Sequence, residues 1–159
     1  MKARSKGTSR KEKSGAARSK ARVGRVGRSS TGAQSSSKSV LRYAVVGLGY
    51  ISQVAMLPAF AHARSNSRLA ALISDDPTKL KTLSRKYKVP ATYSYDEYEA
   101  CLRSGGIDAV YIALPNSMHA SYAIRAAEAG VHVLCEKPMA VTEQECEAMI
   151  AAAKAHDVT

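Results

Sequence analysis

Gly47 and Gly49, followed by Ser52, stand in the stretch VVGLGYISQ, residues 45–53. A Gly-x-Gly-x-x-small pattern can make a tight turn between a strand and a helix, or it can bring a phosphate group against bare backbone. In the second case Gly47 permits the sharp turn, and Gly49, lacking a β-carbon, lets a pyrophosphate approach the main chain. The amide N–H groups of Tyr50 and Ile51, opening the helix, then face the phosphate, aided by about half a positive charge from the helix dipole. Ser52 is the small residue that lets the helix lie close to the strand. Many βα loops carry glycines, so the pattern alone leaves both readings open.

A second candidate lies at the end of RLAALIS, residues 68–74. An acid at that position would accept hydrogen bonds from a ribose 2′-hydroxyl and repel a 2′-phosphate. The position holds Ser74, which tolerates a phosphate, and Lys79 follows to neutralise it. Asp75 pulls the other way, while Asp76 reads as a turn and cap residue. The balance favours NADP over NAD. Cys101, Cys135 and Cys146 are odd in number and form no C-x-x-C, which excludes a disulfide framework or a zinc site. They suit a reducing compartment, so the expected location is the cytoplasm. The histidines are scattered, and no metal is expected. His119 reads as a structural hydrogen-bonding residue and Cys135 as a buried small hydrophobe.

The elements that must position these residues are visible as alternating patterns from Ser39 onward. YAVVG (43–47) is a β-branched run of the kind buried on both faces of a sheet. Apolar residues at helical spacing follow from Tyr50 to Ala63, with a kink or break expected at Pro58. RLAALIS is the second strand, and Asp76-Pro77 caps a helix to about Lys88. A short strand at Ala91–Tyr93 precedes a capping box of Ser94 and Glu97, opening a helix through Arg103 that Gly105-Gly106 ends. DAVYIAL (108–114) is the fourth strand. Asn116 or Ser117 is expected to cap a helix to Ala129, terminated by Gly130. VHVLC (131–135) is the fifth strand, and Thr142 with Glu145 makes a capping box for a helix to about His156. Strands alternating with helices imply right-handed crossovers and a doubly wound α/β domain with a parallel sheet.

The charge is confined to the other part of the chain. Residues 1–38 hold 12 Lys or Arg and one acid, Glu12, so 12 − 1 gives +11, the whole formal charge of the protein. Residues 39–159 hold 12 of each sign and sum to 0. The first segment, of Lys, Arg, Ser, Gly and Ala, cannot bury enough apolar surface to offset the entropy of ordering it and reads as a disordered basic tail. It has no apolar core for a secretory signal. It could contact polyanions without sequence preference, or be a solvated extension. No segment approaches the ~20 apolar residues of a membrane span.

Together with VVGLGYIS, the stretches YIALPNSMHA (111–120) and VLCEKPMA (133–140) resemble the glucose-fructose oxidoreductase / inositol dehydrogenase (Gfo/Idh/MocA) family at its N-terminal, Rossmann half. The resemblance runs from about Arg42 to Ala155, and LIS followed by Lys79 is nearest the glucose-fructose oxidoreductase branch. It implies that Lys137 faces the substrate hydroxyl beside the nicotinamide and is the catalytic residue. It also implies that Glu136 and Asn116 contact the nicotinamide or its ribose, and that Pro115 packs on the ring. The Lys137–Pro138 bond is often cis in the family. In a doubly wound sheet ligands sit at the carboxyl ends of the strands, where all these positions fall.

Family members continue into a second α/β domain that supplies substrate contacts, partners of the lysine and the oligomer interface. The sheet is therefore expected to be incomplete at its C-terminal edge, with the fifth strand exposed and the chain neither turning over nor oligomerising alone. The implied substrate is a sugar, polyol or related hydroxy-compound. The alternatives are a non-catalytic dinucleotide-binding module attached through its basic tail to nucleic acid or an acidic protein, and a methyltransferase. Neither explains a lysine in Glu-Lys-Pro together with Pro-Asn-x-x-His.

Overall fold

The computed structural model describes residues 40–159; the expected basic tail lies outside the described residues. Five parallel strands form one sheet in the order β3-β2-β1-β4-β5: β1 Leu41–Val46, β2 Ser67–Ile73, β3 Ala91–Tyr93, β4 Ala109–Ile112 and β5 His132–Cys135. The order reverses between β1 and β4, which pair directly. The helices are α1 Leu57–Ala59, α2 Pro77–Tyr87, α3 Tyr98–Arg103, α4 Asn116–Glu128 and α5 Glu143–Ala155.

The continuous apolar runs are explained by strand geometry, since successive side chains point to opposite faces and both faces are covered. Ala44, Val46, Ala71, Ile73, Val110 and Ile112 face one core with Tyr98 and Leu102 of α3, Ala123 and Ala126 of α4 and Met149 of α5. Val45, Leu72 and Tyr111 face the other, with Leu57 of α1 and Leu83 of α2. On the first side Tyr98 donates its hydroxyl to the Tyr122 carbonyl, while Arg125 lies 4.8 Å from the centroids of both rings and pairs with Glu99, locking α3 to α4.

Three local expectations are corrected. The helix from Tyr50 to Ala63 is shorter and irregular: Ser52–Met56 is a π-helix, Leu57–Ala59 is α-helical, and no helix continues to Ala63. Pro58 has no N–H and its ring would crowd the carbonyl four residues back, so the preceding turn is widened, with Leu57 N–H bonded to the Ser52 carbonyl. The α3 helix begins at Tyr98 because the Ser94 hydroxyl and N–H both donate to Glu97, leaving only half a capping box. Pro115, not Asn116 or Ser117, occupies the cap position of α4, with no side-chain cap bond. The caps at Asp76 and at Thr142–Glu145 are formed as expected.

The fifth strand has β4 as its strand partner, and Leu134 is 49% exposed. On its free side Val133 N–H donates to the Thr159 carbonyl at 2.7 Å. Among the described residues no helix is long and apolar enough to cross a membrane.

Within the sheet, the amino-terminal ends of the neighbouring strands β1 and β4 are tied by one ion pair. Asp108 accepts from Arg42 N–H at 2.7 Å and from both sides of its guanidinium, at 2.9 and 2.6 Å, joining the starts of β1 and β4. These bonds, the side-chain one first, hold the Asp108 carboxyl below its ordinary range. The stability it contributes is therefore complete above the carboxyl's unfolded pKa and is lost as pH falls through its lower folded value. Asp108→Asn is expected to melt below wild type at pH 7, with the two melting temperatures converging on acidification through that window; an offset that persists unchanged into strong acid would refute the ionic origin.

Candidate functional site

Backbone bonds between neighbouring strands run past the strand ends and gather the candidate residues into a row. Gly47 N–H donates to the Ile73 carbonyl at 3.0 Å, Ala113 N–H to Val46 at 2.8 Å and Glu136 N–H to Ile112 at 2.9 Å. Ser74, Gly47, Ala113 and Glu136 are thus the first residues beyond β2, β1, β4 and β5, adjacent across the carboxyl edge. The crevice they line lies where the strand order reverses, the position at which open α/β sheets take ligands.

The two glycines do different work. Gly47 is buried at φ +90°, and a β-carbon there would meet the Ala113 carbonyl oxygen at 2.5 Å. Its own carbonyl accepts the buried Ser52 hydroxyl at 2.6 Å, so Ser52 is more than small: it bonds the helix back to the turn. Gly49 has nothing within 4 Å of a β-carbon and no positive φ, so the turn itself makes no demand for glycine at that position. What glycine supplies at Gly49 is bare, exposed backbone beside Tyr50, 81% exposed, and Ile51. The first N–H groups of a helix have no acceptor within it. That set of groups suits an anionic diphosphate.

Glu136 is fixed from two sides. Its Oε1 accepts the Tyr111 hydroxyl, and its Oε2 accepts the Lys137 N–H at 3.2 Å. These bonds, Tyr111 first, hold the carboxyl below its usual range, so it stands as a carboxylate. Burial, and then that carboxylate, push the Tyr111 phenol upward, keeping it a donor. Tyr111 is the residue that sequence reasoning missed. It read as one more strand residue, and its only signal was a phenol in a buried run, which needs a polar partner. Lys137 is exposed, and its bond to Pro138 is cis. Pro115 and Asn116 are exposed at the neighbouring strand end, on the same edge.

His119 is 1% exposed and contacts two carbonyls, as its structural reading requires. The Cys135 thiol is pushed up to about 11, by burial and then by Glu136, which disfavours the thiolate that redox chemistry needs. Beyond β2, Ser74 is 5% exposed and its Oγ accepts the Asp76 N–H at 3.1 Å. Asp75 is turned to the Tyr95 N–H at 2.8 Å. Lys79 is not free: its ammonium lies 3.2 Å from Asp76, an exposed pair of the kind a phosphate can displace. No group of three or more metal-ligating side chains occurs among the described residues.

Gly47→Ala should cost about 1–3 kcal/mol from backbone strain alone, and Gly49→Ala should stay within about 0.5 kcal/mol of wild type. Urea denaturation of both variants checks this, and equal losses would mean that the second glycine is also structural.

A family model described as "Oxidoreductase family, NAD-binding Rossmann fold" matches residues 41–159. The D-xylose 1-dehydrogenase (NADP(+)) 2 of Haloferax volcanii is 34% identical over 109 residues, which are 69% of this chain and 32% of that protein. The scyllo-inositol 2-dehydrogenase (NADP(+)) of Bacillus subtilis is 34% identical over 119 residues, 75% of this chain and 35% of that protein. Among solved structures, the aldose-aldose oxidoreductase of Caulobacter crescentus complexed with glycerol superposes with a TM-score of 0.72 at 46% identity, covering 76% of this chain and 36% of that one. This chain spans about a third of the length of the relatives it matches.

Proposed function

We propose a function from the fact that the chain belongs to the Gfo/Idh/MocA family of oxidoreductases, at the family's NAD-binding Rossmann domain. The domain binds NADP in preference to NAD and serves hydride transfer to or from a carbon bearing a hydroxyl in a sugar, polyol or related compound. The observation that carries the reading is the split between the glycines: Gly47 is required by packing, and Gly49 is bare where packing requires nothing.

When bound, the nicotinamide ring accepts or returns the hydride. The residues of this chain bind and orient it. Gly49 and the N–H groups of Tyr50 and Ile51 hold the diphosphate. Ser74, uncharged, admits a 2′-phosphate, and Lys79 exchanges its Asp76 partner for it. Pro115 packs against the ring, while Asn116 and the Glu136 carboxylate, anchored by Tyr111, hold the nicotinamide or its ribose. In the oxidising direction the Lys137 side chain, as the neutral amine, takes the hydroxyl proton as hydride leaves the carbon and becomes the ammonium; in the reducing direction the ammonium stabilises the developing alkoxide and returns that proton to it. The two dehydrogenases named above support the substrate class and, both being NADP(+) enzymes, the cofactor preference.

The test is a fluorescence titration with NADPH and NADH. Gly49→Ala should weaken NADPH about tenfold, roughly 1.4 kcal/mol; unchanged affinity would sink the phosphate role of that turn. Ser74→Asp should lower the ratio of NADPH to NADH affinity by at least about tenfold through repulsion of the 2′-phosphate. An unaltered ratio would remove Ser74 from cofactor choice.

A further inference from the structure

His119 joins the two loops that flank the crevice. Its Nε2 lies 2.8 Å from the Leu114 carbonyl oxygen, just beyond β4, and its Nδ1 lies 3.0 Å from the Pro138 carbonyl oxygen, just beyond β5. A carbonyl oxygen can only accept, so each contact needs an N–H on the ring; the protonated ring supplies both, the neutral ring one at a time. The ring is 1% exposed, and water cannot replace either bond. Pro138 is the residue after Lys137, and Leu114 is the residue before Pro115 and Asn116. The imidazole therefore spans from the backbone carrying the ammonium to the backbone carrying the groups expected at the nicotinamide. No other side-chain bond to backbone connects these two loops among the described residues. Glu136 is held separately, by Tyr111 and by its own N–H bond to Ile112.

We propose that His119 is a positioning residue for Lys137: through the Pro138 carbonyl it sets where the lysine backbone stands relative to Pro115 and Asn116. The inference rests on the function proposed above and adds a residue to it. His119, 1% exposed, presents almost no surface to a ligand and acts through the backbone it holds. Its two bonds also have separable roles. The Nδ1 bond holds the loop that carries Lys137, and the Nε2 bond secures the ring to the neighbouring strand end.

That separation defines the test. The amide nitrogen of an asparagine falls close to the place of Nδ1, and that of a glutamine close to the place of Nε2. His119→Asn therefore keeps a donor for Pro138, and His119→Gln keeps one for Leu114. The full chain would be labelled with ¹³C and ¹⁵N and titrated with NADPH, following the Lys137 Cε resonance and the amide resonances of residues 47–52. In wild type both sets should shift. His119→Asn should retain at least half of the Lys137 shift and His119→Gln less than a fifth, while the 47–52 amides respond alike in all three proteins. Equal Lys137 shifts in the two variants would overturn the positioning role. So would equal losses, which would mark His119 as a general structural residue; a melting curve on each variant identifies that case. A wild type whose 47–52 amides do not respond would instead refute the dinucleotide reading, which keeps the two failures distinct.

Discussion

The crevice depends on a gap that only a hydrogen atom can fill. Gly47 lies so close to the Ala113 carbonyl that a β-carbon would sit 2.5 Å from its oxygen. That closeness lets β1 and β4 pair up to their last residues, with Ala113 N–H bonded to Val46. A side chain at Gly47 would push the two strand ends apart at the point where the sheet reverses order. Because the ends stay together, the turn after β1, the loop after β4 and the loop after β5 open onto one edge. The floor of the crevice is thus backbone held by backbone, which is stiff, and the side chains above it are left for ligands.

On that floor the polar groups fall into two kinds. Those that set geometry are satisfied internally: Ser52 on the Gly47 carbonyl, Tyr111 on Glu136, His119 between Leu114 and Pro138. No buried side-chain polar atom among the described residues lacks a partner. Gly49, Tyr50, Ile51, Pro115, Asn116 and Lys137 are left exposed, and they form part of the set proposed above to meet cofactor and substrate. Internal satisfaction of one set is what makes the other available, since an unpartnered buried donor would compete for the ligand or destabilise the fold.

Much of the fold was legible because it follows from short-range rules. Alternating faces of β-branched runs identified the strands, and Asp76-Pro77 and Thr142–Glu145 identified helix starts whose caps involve residues three apart. The failures came where a neighbour in space competed with a neighbour in sequence. Glu97 took both groups of Ser94, so the box did not close. The preceding turn opened into a π-helix, and the helix expected to reach Ala63 broke off just after Pro58. Asn116 lost the cap position to Pro115, whose extended backbone already turns the chain into α4.

The sequence by itself determined the doubly wound class, the glycine turn and the family resemblance and singled out most of the candidate residues, because each is written in spacings of a few residues or in recurrent local motifs. The tertiary structure alone decided that the two glycines differ, that Lys79 is already paired, that Tyr111 orients Glu136 and that His119 bridges two loops. Each of these rests on a contact between segments brought together by the sheet order, or on how far a side chain reaches from its own backbone. Neither periodicity nor composition carries that information, since the free energy of such a contact depends on distances the chain acquires only when it folds.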